Sequence, residues 1–511
     1  MSDPAISDRK EMLSCDVLVV GCGYAGAVAA IAAHDAGAEV VVLEKMPDAG
    51  GISVCSAGGL RVAEDAGEAF AYLQATNAGT TPDDVLRRLA EGMVALPEAV
   101  AALAAGTGAR VSRRASPGNY PLPGHRTFGF VYVEEIEGFD PRAHWPQVKG
   151  SPAGACLFRV LQLNLERRRI ALRCNTAVRR LVRAADGSIT GAEAAGPQGP
   201  LFVRARGGVV LACGGFEGDA SLQQQFWEAK PVLSAAFRGN TGDGIRMAQA
   251  AGAALWHMWH FHGSYGFRHP DPAYPFGIRT KRVPDWRPGE APPADVRLPW
   301  ILLDKTARRF ANEYQPYLQD TGARALGRLR PEHQDFATVP AWLIADEDGR
   351  ALYPFGRPTH NERGIAYDWS RDNRKEIGLG ILRQADSLEE LAAGTGLPAD
   401  RLTEEIQRWN AACTAAEDRD FGRPPTSMMP LRRPPFCYGE VWPVVSNTQG
   451  GPVHDAEQRV LDPYDAPIGH LYAAGELGSA FGHLYMSGGN LAECFIGGAI
   501  TGRNAAARER L

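Results

Sequence analysis

Paired cysteines are missing from this sequence. Its nine cysteines are odd in number and never stand in C-x-x-C spacing. That excludes a disulfide scaffold and a zinc framework and points to a reducing compartment. Cys15, Cys22 and Cys213 lie in or beside apolar strand patterns and read as core thiols. No uninterrupted apolar run is long enough to span a bilayer. Residues Met1 to Lys10 have neither an apolar core nor a cleavage signature, so no secretory signal is expected and a cytoplasmic location is. Excess positive charge is also absent: the formal net charge is −5, which gives no global field for nucleic acid. The arginine runs at Arg167–Arg169 and Arg432–Arg433 are short and read as solvated surface. There is no solenoid repeat and no low-complexity tract. What remains, 45% hydrophobic and 22% charged over 511 residues, is an ordinary globular composition with room for two or more domains.

The most informative stretch runs from Val17 to Glu44. Val17–Val20 is a short apolar run, as in a buried parallel strand. Gly21, Gly23 and Gly26 follow in G-x-G-x-x-G spacing. Ala27–Ala36 predicts a helix that Gly37 ends, and Val40–Leu43 predicts a second buried strand closed by Glu44. Each part has a physical reason in a dinucleotide site. Gly21 makes the tight turn, Gly23 lets the backbone approach a pyrophosphate, and Gly26 lets helix and strand pack closely. The helix N-terminus turns free N–H groups and its positive dipole end toward the phosphates. Glu44 is placed to accept ribose hydroxyls.

Further along, glycine clusters at Gly50-Gly51 and Gly58-Gly59 suggest backbone lying against a ligand. Residues 82–106 carry helical periodicity, with Pro82 in the first turn. Residues 111–150 are rich in Pro, Gly and aromatics and read as irregular. The segment 171–210 reads as short strands with turns at Asp186-Gly187 and Gly207-Gly208. Gly208–Gly215 is again a buried strand running into glycines. Gly239–Gly244 opens a helix from Ile245 to Ala251, where Asp243 suits a cap or a ligand hydroxyl. From about 260 to 435 the composition shifts toward Pro and aromatics. Pro270–Pro293 is loop-like, and 387–416 is helical from a capping box at Ser387. The closing section returns to glycine, with a strand at Leu471–Ala474, Gly475-Glu476, and Gly488-Gly489-Asn490 opening an apolar helix. His257, His260 and His262 lack further ligands in metal spacing. The alternation from Trp256 to Phe261 predicts a strand instead, with room for one His in a pocket.

Seven separated motifs recur in one order: Gly21-x-Gly23-x-x-Gly26 with Glu44, Gly50-Gly51-x-Ser53, Ala212-Cys-Gly-Gly215, Thr241-Gly-Asp-Gly244, Arg309-Phe-Ala-Asn-Glu313, Thr448-Gln-Gly-Gly451 and Ala474-Gly-Glu476. Over nearly its whole length the chain resembles the fumarate reductase and succinate dehydrogenase flavoproteins, a family that includes the flavin-dependent 3-ketosteroid dehydrogenases. The resemblance implies an α/β fold with an α+β cap: a Rossmann-like FAD-binding domain from 1–260 and 436–511, with a substrate-capping domain inserted at 261–435. It implies a cofactor set of Gly21, Gly23, Gly26, Glu44, Lys45, Gly50, Gly51, Ser53, Gly58, Gly59, Ala212, Gly214, Asp243, Gly475, Glu476, Gly489, Asn490 and Leu491. The Gly489–Leu491 helix start would face the flavin pyrimidine and stabilise its anionic reduced form. Members that bind flavin covalently carry a His after the second glycine pair. Ile52-Ser53-Val54 stands there here, so non-covalent FAD is expected. No second G-x-G-x-x-G offers a nicotinamide site, so electrons are expected to pass to a quinone or an electron-transfer protein.

Fumarate reductases of this family place a catalytic Arg four residues after the Glu of the Arg-Phe-Ala-Asn-Glu motif and a substrate-binding His ahead of Thr-x-Gly-Gly. Here Tyr317 and Ser446-Asn447 occupy those places. Ketosteroid dehydrogenases are similar to this chain at Pro316-Tyr317 and at Tyr485-Met-Ser487-Gly488, the latter most like the Δ4-type enzymes. The implied reaction is desaturation of a cyclic ketone, a 3-ketosteroid first among candidates. An α-proton is removed and a β-hydride passes to flavin N5. Tyr485 with an N–H at Gly488 or Gly489 would hold the enolate oxygen, or Tyr485 would activate Ser487. Tyr317 and Ser487, with a pKa lowered by neighbouring dipoles, would take the proton. Ser487 equally suits a helix N-cap and Tyr317 an ordinary packed tyrosine. Tyr120 sits where some relatives have a further pocket Tyr. Two alternatives stand beside this reading: an ene-reductase of an activated alkene such as a fumarate- or urocanate-like acid, and a non-catalytic flavoprotein electron carrier.

Overall fold

Val17–Val20 is the inner end of a longer strand, Glu11–Val20, whose last six residues are all buried. In the computed structural model, which describes residues 11–507, this strand lies at the centre of a largely parallel sheet. Val40–Leu43 and then Ala171–Arg173 flank it on one side, Gly199–Leu211 and then Pro467–Ala473 on the other, all parallel. Such strands are buried on both faces, which is why they read as unbroken apolar runs. Met1–Lys10, read above for a targeting signal, lie outside the described residues. Ala177–Arg183 and Ile189–Gly196 add an antiparallel hairpin to Gly199–Leu211. The Asp186-Gly187 turn is present, with Gly187 N–H on the Ala184 carbonyl. Gly207-Gly208 is not a turn. Both residues lie inside Gly199–Leu211, where the register with Glu11–Val20 slips between Cys15 and Val17. The glycine pair marks a bulge, which local composition does not separate from a turn.

The helix Tyr24–Asp35 crosses from the central strand to Val40–Leu43. It packs on the C-terminal helix Gly489–Ala507, where a Cβ on Gly502 would run into the Ala29 carbonyl oxygen. Small residues let the two backbones touch, so the two ends of the chain build one unit. Asp83–Ala104 is helical as expected, with Pro82 as the capping residue outside the first turn.

The stretch 111–150 is more regular than its composition predicts. Ala109–Ala115 and Phe128–Ile136 pair with Leu60–Ala63 in a three-stranded antiparallel sheet. Pro117, Pro121 and Pro123 are confined to the connection between the two strands, where no ladder N–H is needed.

A second sheet is mainly antiparallel, in the order Ile301–Leu303, Ala341–Ala345, Phe436–Thr448, Phe261–Phe267, Ile278–Thr280, Gly356–Arg357. Ile278–Thr280 falls in the stretch expected to be loop. Phe436–Thr448 is the long inner strand of this sheet, and Leu233–Ser234 pairs with it. The chain therefore rejoins the parallel sheet only at Arg459–Leu461, later than the boundary expected at 436. The single strand predicted across Trp256–Phe261 is instead Leu255–Trp256 and Phe261–Phe267, separated by a turn with His257 at φ 54°. Leu388–Thr395 and Ala399–Ala415 are helices. Ser387 caps as expected, its Oγ accepting from Glu390 N–H at 3.2 Å, while the return bond of the box falls one residue early, Glu390 Oε2 accepting from Asp386 N–H at 2.7 Å.

Candidate active site

The glycine turn after the central strand opens one end of an elongated cavity of about 190 Å³. Gly21 has φ 95°, and a Cβ on Gly26 would overlap the Gly21 carbonyl oxygen. These two positions demand glycine for the turn and for helix-on-strand packing. Gly21, Gly23, Glu44, Lys45, Gly50, Gly51 and Ser53 line the cavity from the N-terminal segment. Ala212, Gly214 and Asp243 line it from the middle of the chain, and Glu476, Asn490 and Leu491 from the C-terminal segment. Gly58, Gly59, Gly475 and Gly489 do not line it. Their missing side chains make room for the Ala153–Gly154 backbone, the Tyr132 ring, Ala25 with Cys494, and the Phe481 ring respectively. At these four positions close packing against protein atoms is by itself a reason for glycine.

Glu44 is fixed by two backbone donors, Cys22 N–H on Oε2 at 2.8 Å and Met46 N–H on Oε1 at 2.9 Å. Burial pushes its carboxyl up, and those bonds pull it back in part. Lys45 Nζ pairs with Asp243 Oδ2 at 2.7 Å and donates to Thr241 Oγ1 at 2.7 Å. This ties the second strand to the start of the helix Asp243–Ala250, whose own N-cap is Gly242. Asp243 therefore serves as the lysine's partner and does not cap the helix.

At the other end three carboxyl groups lie buried together. Glu476 Oε1 accepts from Thr448 N–H at 2.9 Å, and burial with the nearby Glu217 charge holds Glu476 well above the ordinary carboxyl range. Glu493 accepts from Ser479 Oγ, Ala480 N–H and Asn490 Nδ2, yet burial pushes it up to about 8. Asn490 Oδ1 accepts from Asn447 Nδ2 at 3.0 Å. Asn447 Oδ1 faces His262 Nδ1 at 2.9 Å, and His262 Nε2 faces Asp320 Oδ1 at 2.5 Å. This chain of contacts leads from the cofactor end to the catalytic candidates.

Tyr485 lies against His262, ring centroids 4.3 Å apart, and its OH accepts from Gly488 N–H at 3.2 Å. The Ser487 backbone N–H donates to Asn119 Oδ1, and Ser487 Oγ is 3.4 Å from Asn119 Nδ2. Asn119 Nδ2 also bonds Asp320. Arg61 locks this corner: Nε donates to the Ser487 carbonyl at 2.9 Å and Nη1 to the Ser116 carbonyl at 2.9 Å, with the guanidinium over the Phe130 ring. Tyr317 stands at φ 59° before the short helix Leu318–Thr321. Its ring meets Tyr120 edge-on at 4.5 Å, and its buried OH has no partner. Tyr317, Ser487, Arg61 and Asn119 line a second cavity of about 370 Å³, roofed by Arg282, Asp285, Trp286, Arg287 and Glu290. Tyr485 and Gly488 lie directly behind Ser487.

Sequence position brings Tyr317, Tyr485, Ser487 and Gly488 together as expected, but not with the expected base strength. Burial pushes Tyr317 up to about 12, against the smaller downward pull of Arg287, and it raises Tyr485 further. Desolvation of a phenolate outweighs the local dipoles. The other histidines of the cluster are engaged with backbone. His257 contacts the Ser479 and Thr80 carbonyls, and His260 contacts the Phe481 carbonyl and Arg324.

The sequence profile described as FAD binding domain matches residues 16–491. The chain belongs to the FAD-binding-domain family. The 3-oxosteroid 1-dehydrogenase of Mycolicibacterium smegmatis is 28% identical over 95% of this chain and 95% of its own length. The cytochrome fumarate reductase of Shewanella frigidimarina is 28% identical over 96% of this chain and 77% of its own. The crystal structure of 3-ketosteroid Δ1-dehydrogenase from Sterolibacterium denitrificans, in complex with 1,4-androstadiene-3,17-dione, is also similar. It superposes with a TM-score of 0.77 at 25% identity, covering 97% of this chain and 99% of that one. The chain is thus an FAD-dependent oxidoreductase of mixed α/β architecture.

The residues fit that cofactor. The N-cap Gly23 has no side chain to cap the helix Tyr24–Asp35, and Ser53 Oγ takes only the first amide, Tyr24 N–H, at 3.2 Å, so the following amides of the first turn remain for a pyrophosphate. Glu44 retains free lone pairs for a ribose. Among the described residues no helix is long and apolar enough to cross a membrane. Several site residues escape sequence reading: Arg61, Asn119, Glu217, Asp320 and Glu493. Only Glu493, a carboxylate inside an apolar helix, leaves a local signal.

Proposed function

We propose that this chain desaturates a cyclic ketone beside its carbonyl, with a 3-ketosteroid skeleton as the leading candidate. The observation that carries the reading is the pairing of the Tyr485 hydroxyl with the Gly488 N–H at 3.2 Å, on a turn that also presents Ser487 to the cavity of Tyr317. The Gly488 N–H donates to the Tyr485 oxygen, and the Tyr485 O–H is itself a donor. A carbonyl oxygen that replaces the Tyr485 oxygen as acceptor of that N–H, and accepts the Tyr485 O–H as well, has its α-carbon acidified by stabilisation of the enolate. Tyr317 carries a hydroxyl with no protein partner; held up by burial at about 12, it takes the α-carbon's proton only as the phenolate, after its own proton has left to solvent in the second cavity, with Arg287 favouring that charged form. Tyr120 keeps its ring in place. Asn119, anchored by Arg61 and Asp320, orients Ser487. Bound FAD supplies the hydride acceptor for the β-carbon. Ile52-Ser53-Val54 offers no His for a covalent flavin link, so FAD is held non-covalently. The electrons then leave to a quinone or an electron-transfer protein.

The missing arginine at Tyr317 and the missing histidine at Ser446-Asn447 argue against plain fumarate reduction. The test is anaerobic loss of oxidised-flavin absorbance on adding a saturated 3-ketosteroid or a cyclohexanone, in wild type and in Tyr317→Phe. We expect bleaching in wild type and a loss of roughly 10²-fold or more in Tyr317→Phe with FAD retained, the usual scale for a lost proton-transfer group. No bleaching by any ketone, together with reoxidation of dithionite-reduced enzyme by an alkene acid, would replace this reading with the ene-reductase one.

A further inference from the structure

Asp320 is a buried carboxylate with no arginine or lysine paired to it. Its side chain is 6% exposed, and among the described residues its ion pair is with His262. Glu313, Asp418 and Glu405, buried further along the chain, all face arginines. The Asp320 oxygens go instead to two neutral-side partners of the catalytic candidates. Oδ1 meets His262 Nε2 at 2.5 Å, and Oδ2 accepts from Asn119 Nδ2. A buried carboxylate without a strong cation is costly to hold.

Three arms leave this residue. His262 stands opposite Asn447 in the pairing of Phe261–Phe267 with Phe436–Thr448. Asp320 and Asn447 Oδ1 hold its two ring nitrogens, and the ring so fixed lies against Tyr485 at 4.3 Å between centroids. Asn119 is oriented by a backbone donor: the Ser487 N–H reaches its Oδ1 at 3.3 Å, which turns Nδ2 toward Asp320 and Ser487 Oγ. The third arm is backbone. Asp320 N–H at 2.8 Å and Thr321 N–H at 3.1 Å both donate to the Tyr317 carbonyl, and Tyr317 stands at φ 59° above them. The charge itself opposes the chemistry. Burial, and next the Asp320 carboxylate, push the Tyr485 and Tyr120 hydroxyls up, and Asp320 adds to burial at Tyr317 as well. What the carboxylate supplies is geometry. Both of its oxygens face donors, and an amide of the same shape would turn an NH2 onto one of them.

We propose that Asp320 is the positioning residue of this site: one carboxylate that seats the Tyr485 ring through His262, aims Ser487 through Asn119 and fixes the Tyr317 turn through its own backbone. The proposal rests on the cyclic-ketone reading for what the three groups do, and on the geometry alone for how they are held. It makes the side chain of Asp320 matter through its two accepting oxygens and not through its charge. A charge role and a positioning role then predict opposite results. Removing a charge that raises the tyrosines favours the reaction, whereas removing an acceptor that holds their neighbours slows it.

The test compares FAD-loaded wild type, Asp320→Asn, and the exchanged pair Asn119→Asp with Asp320→Asn. In the exchanged pair the amide at 320 donates to the carboxylate at 119 and keeps its oxygen for His262, while the carboxylate at 119 still accepts from the Ser487 N–H. The first readout is anaerobic flavin bleaching by the saturated 3-ketosteroid or the cyclohexanone. Asp320→Asn is expected to lower the limiting rate about 10²-fold with little change in half-saturation, the scale for misplaced catalytic groups. The exchanged pair is expected to regain about tenfold or more of that loss, as coupled partners do. The second readout needs no ketone. With tyrosine labelled by carbon-13 at Cζ, and Tyr485 assigned from Tyr485→Phe, wild type is expected to give one sharp Tyr485 signal. Asp320→Asn should broaden or split it, and the exchanged pair should restore it. Bleaching by Asp320→Asn at the wild-type rate or faster, or an exchanged pair no better than the single variant, would overturn the proposal. If Asp320→Asn does not fold, the exchanged pair decides: bleaching near the wild-type rate supports the proposal, and a folded, FAD-loaded but inactive protein sinks it. If neither folds, Asn119→Ala cuts the Ser487 arm alone and must lower the limiting rate about tenfold without moving half-saturation; an unchanged rate rejects the proposal. Wild type that no ketone bleaches removes the desaturase reading, and the Tyr485 signal then decides on Asp320 by itself.

Discussion

Gly488 does two jobs that only one residue type allows. Its φ is 78°, and a Cβ there would overlap the Gly59 carbonyl oxygen and press on the Phe130 ring. The same peptide aims its N–H at the Tyr485 hydroxyl. Gly488→Ala must shift the turn to relieve both the strain and the contact, and the shift swings that N–H off its line. We expect a stability loss of about 1–3 kcal/mol from the strained conformation, and a loss of activity larger than the drop in melting temperature alone explains. Comparing the bleaching rate of the folded, FAD-loaded variant with wild type separates the two effects. An active variant with wild-type bleaching would remove Gly488 N–H from the proposed oxyanion site. Tyr317 belongs to the same scale. Its left-handed backbone and partnerless hydroxyl are costs that packing alone does not require, and Tyr317→Phe reads their chemical return.

At the scale of elements, the motif Arg309-Phe-Ala-Asn-Glu313 holds Tyr317 without touching a ligand. Arg309 Nη2 meets Glu313 Oε2 at 2.7 Å and Asp418 Oδ2 at 3.0 Å, and Arg423 Nη1 meets Glu313 Oε2 at 3.3 Å. Trp409 lies against both guanidinium groups. The network bolts the segment before Tyr317 to the helix Ala399–Ala415 and to the loop that follows it. The two arginines hold the Glu313 carboxyl below the usual range despite its burial. Removing its charge leaves two buried cations short of a partner, so Glu313→Gln should cost about 3–5 kcal/mol in denaturant unfolding. A loss under 1 kcal/mol would show that Asp418 alone suffices. How much was legible follows element lines. The β-α-β unit from Val17 to Glu44 is readable because its glycines are spaced along one local segment. The hairpin of 109–136 is not, because turn prolines and strand aromatics share one composition. The contacts of Asn119, His262, Asp320 and Asn447 join four distant segments whose spacing carries no periodic signal.

For the whole molecule, the acids that burial raises make stability fall as pH rises, the opposite of the slope given by Glu313, whose carboxyl is lowered. Glu493 has a folded pKa of about 8 against 4.5 for an ordinary glutamate. Above pH 4.5 the unfolded chain releases this proton while the folded one keeps it until about pH 8. The folded state therefore holds more protons across that window. Its stability contribution is full below the lower value and falls as pH rises through the upper one. The total is on the order of a few kcal/mol, since one pKa unit is about 1.4 kcal/mol. Glu476, Glu217 and Glu44 are raised by burial as well and slope the same way, so absolute curves for one protein do not isolate Glu493. The comparison of two proteins does. Glu493→Gln keeps an acceptor for Asn490 Nδ2 but turns an amide toward Ser479 Oγ and Ala480 N–H, which offsets the whole curve downward without tilting it. Melting temperature measured from pH 5 to 8 should fall less steeply in Glu493→Gln than in wild type, so that the gap between them narrows as pH rises. Parallel curves would mean that Glu493 is ionised throughout this range, and that the three donors around it outweigh its burial.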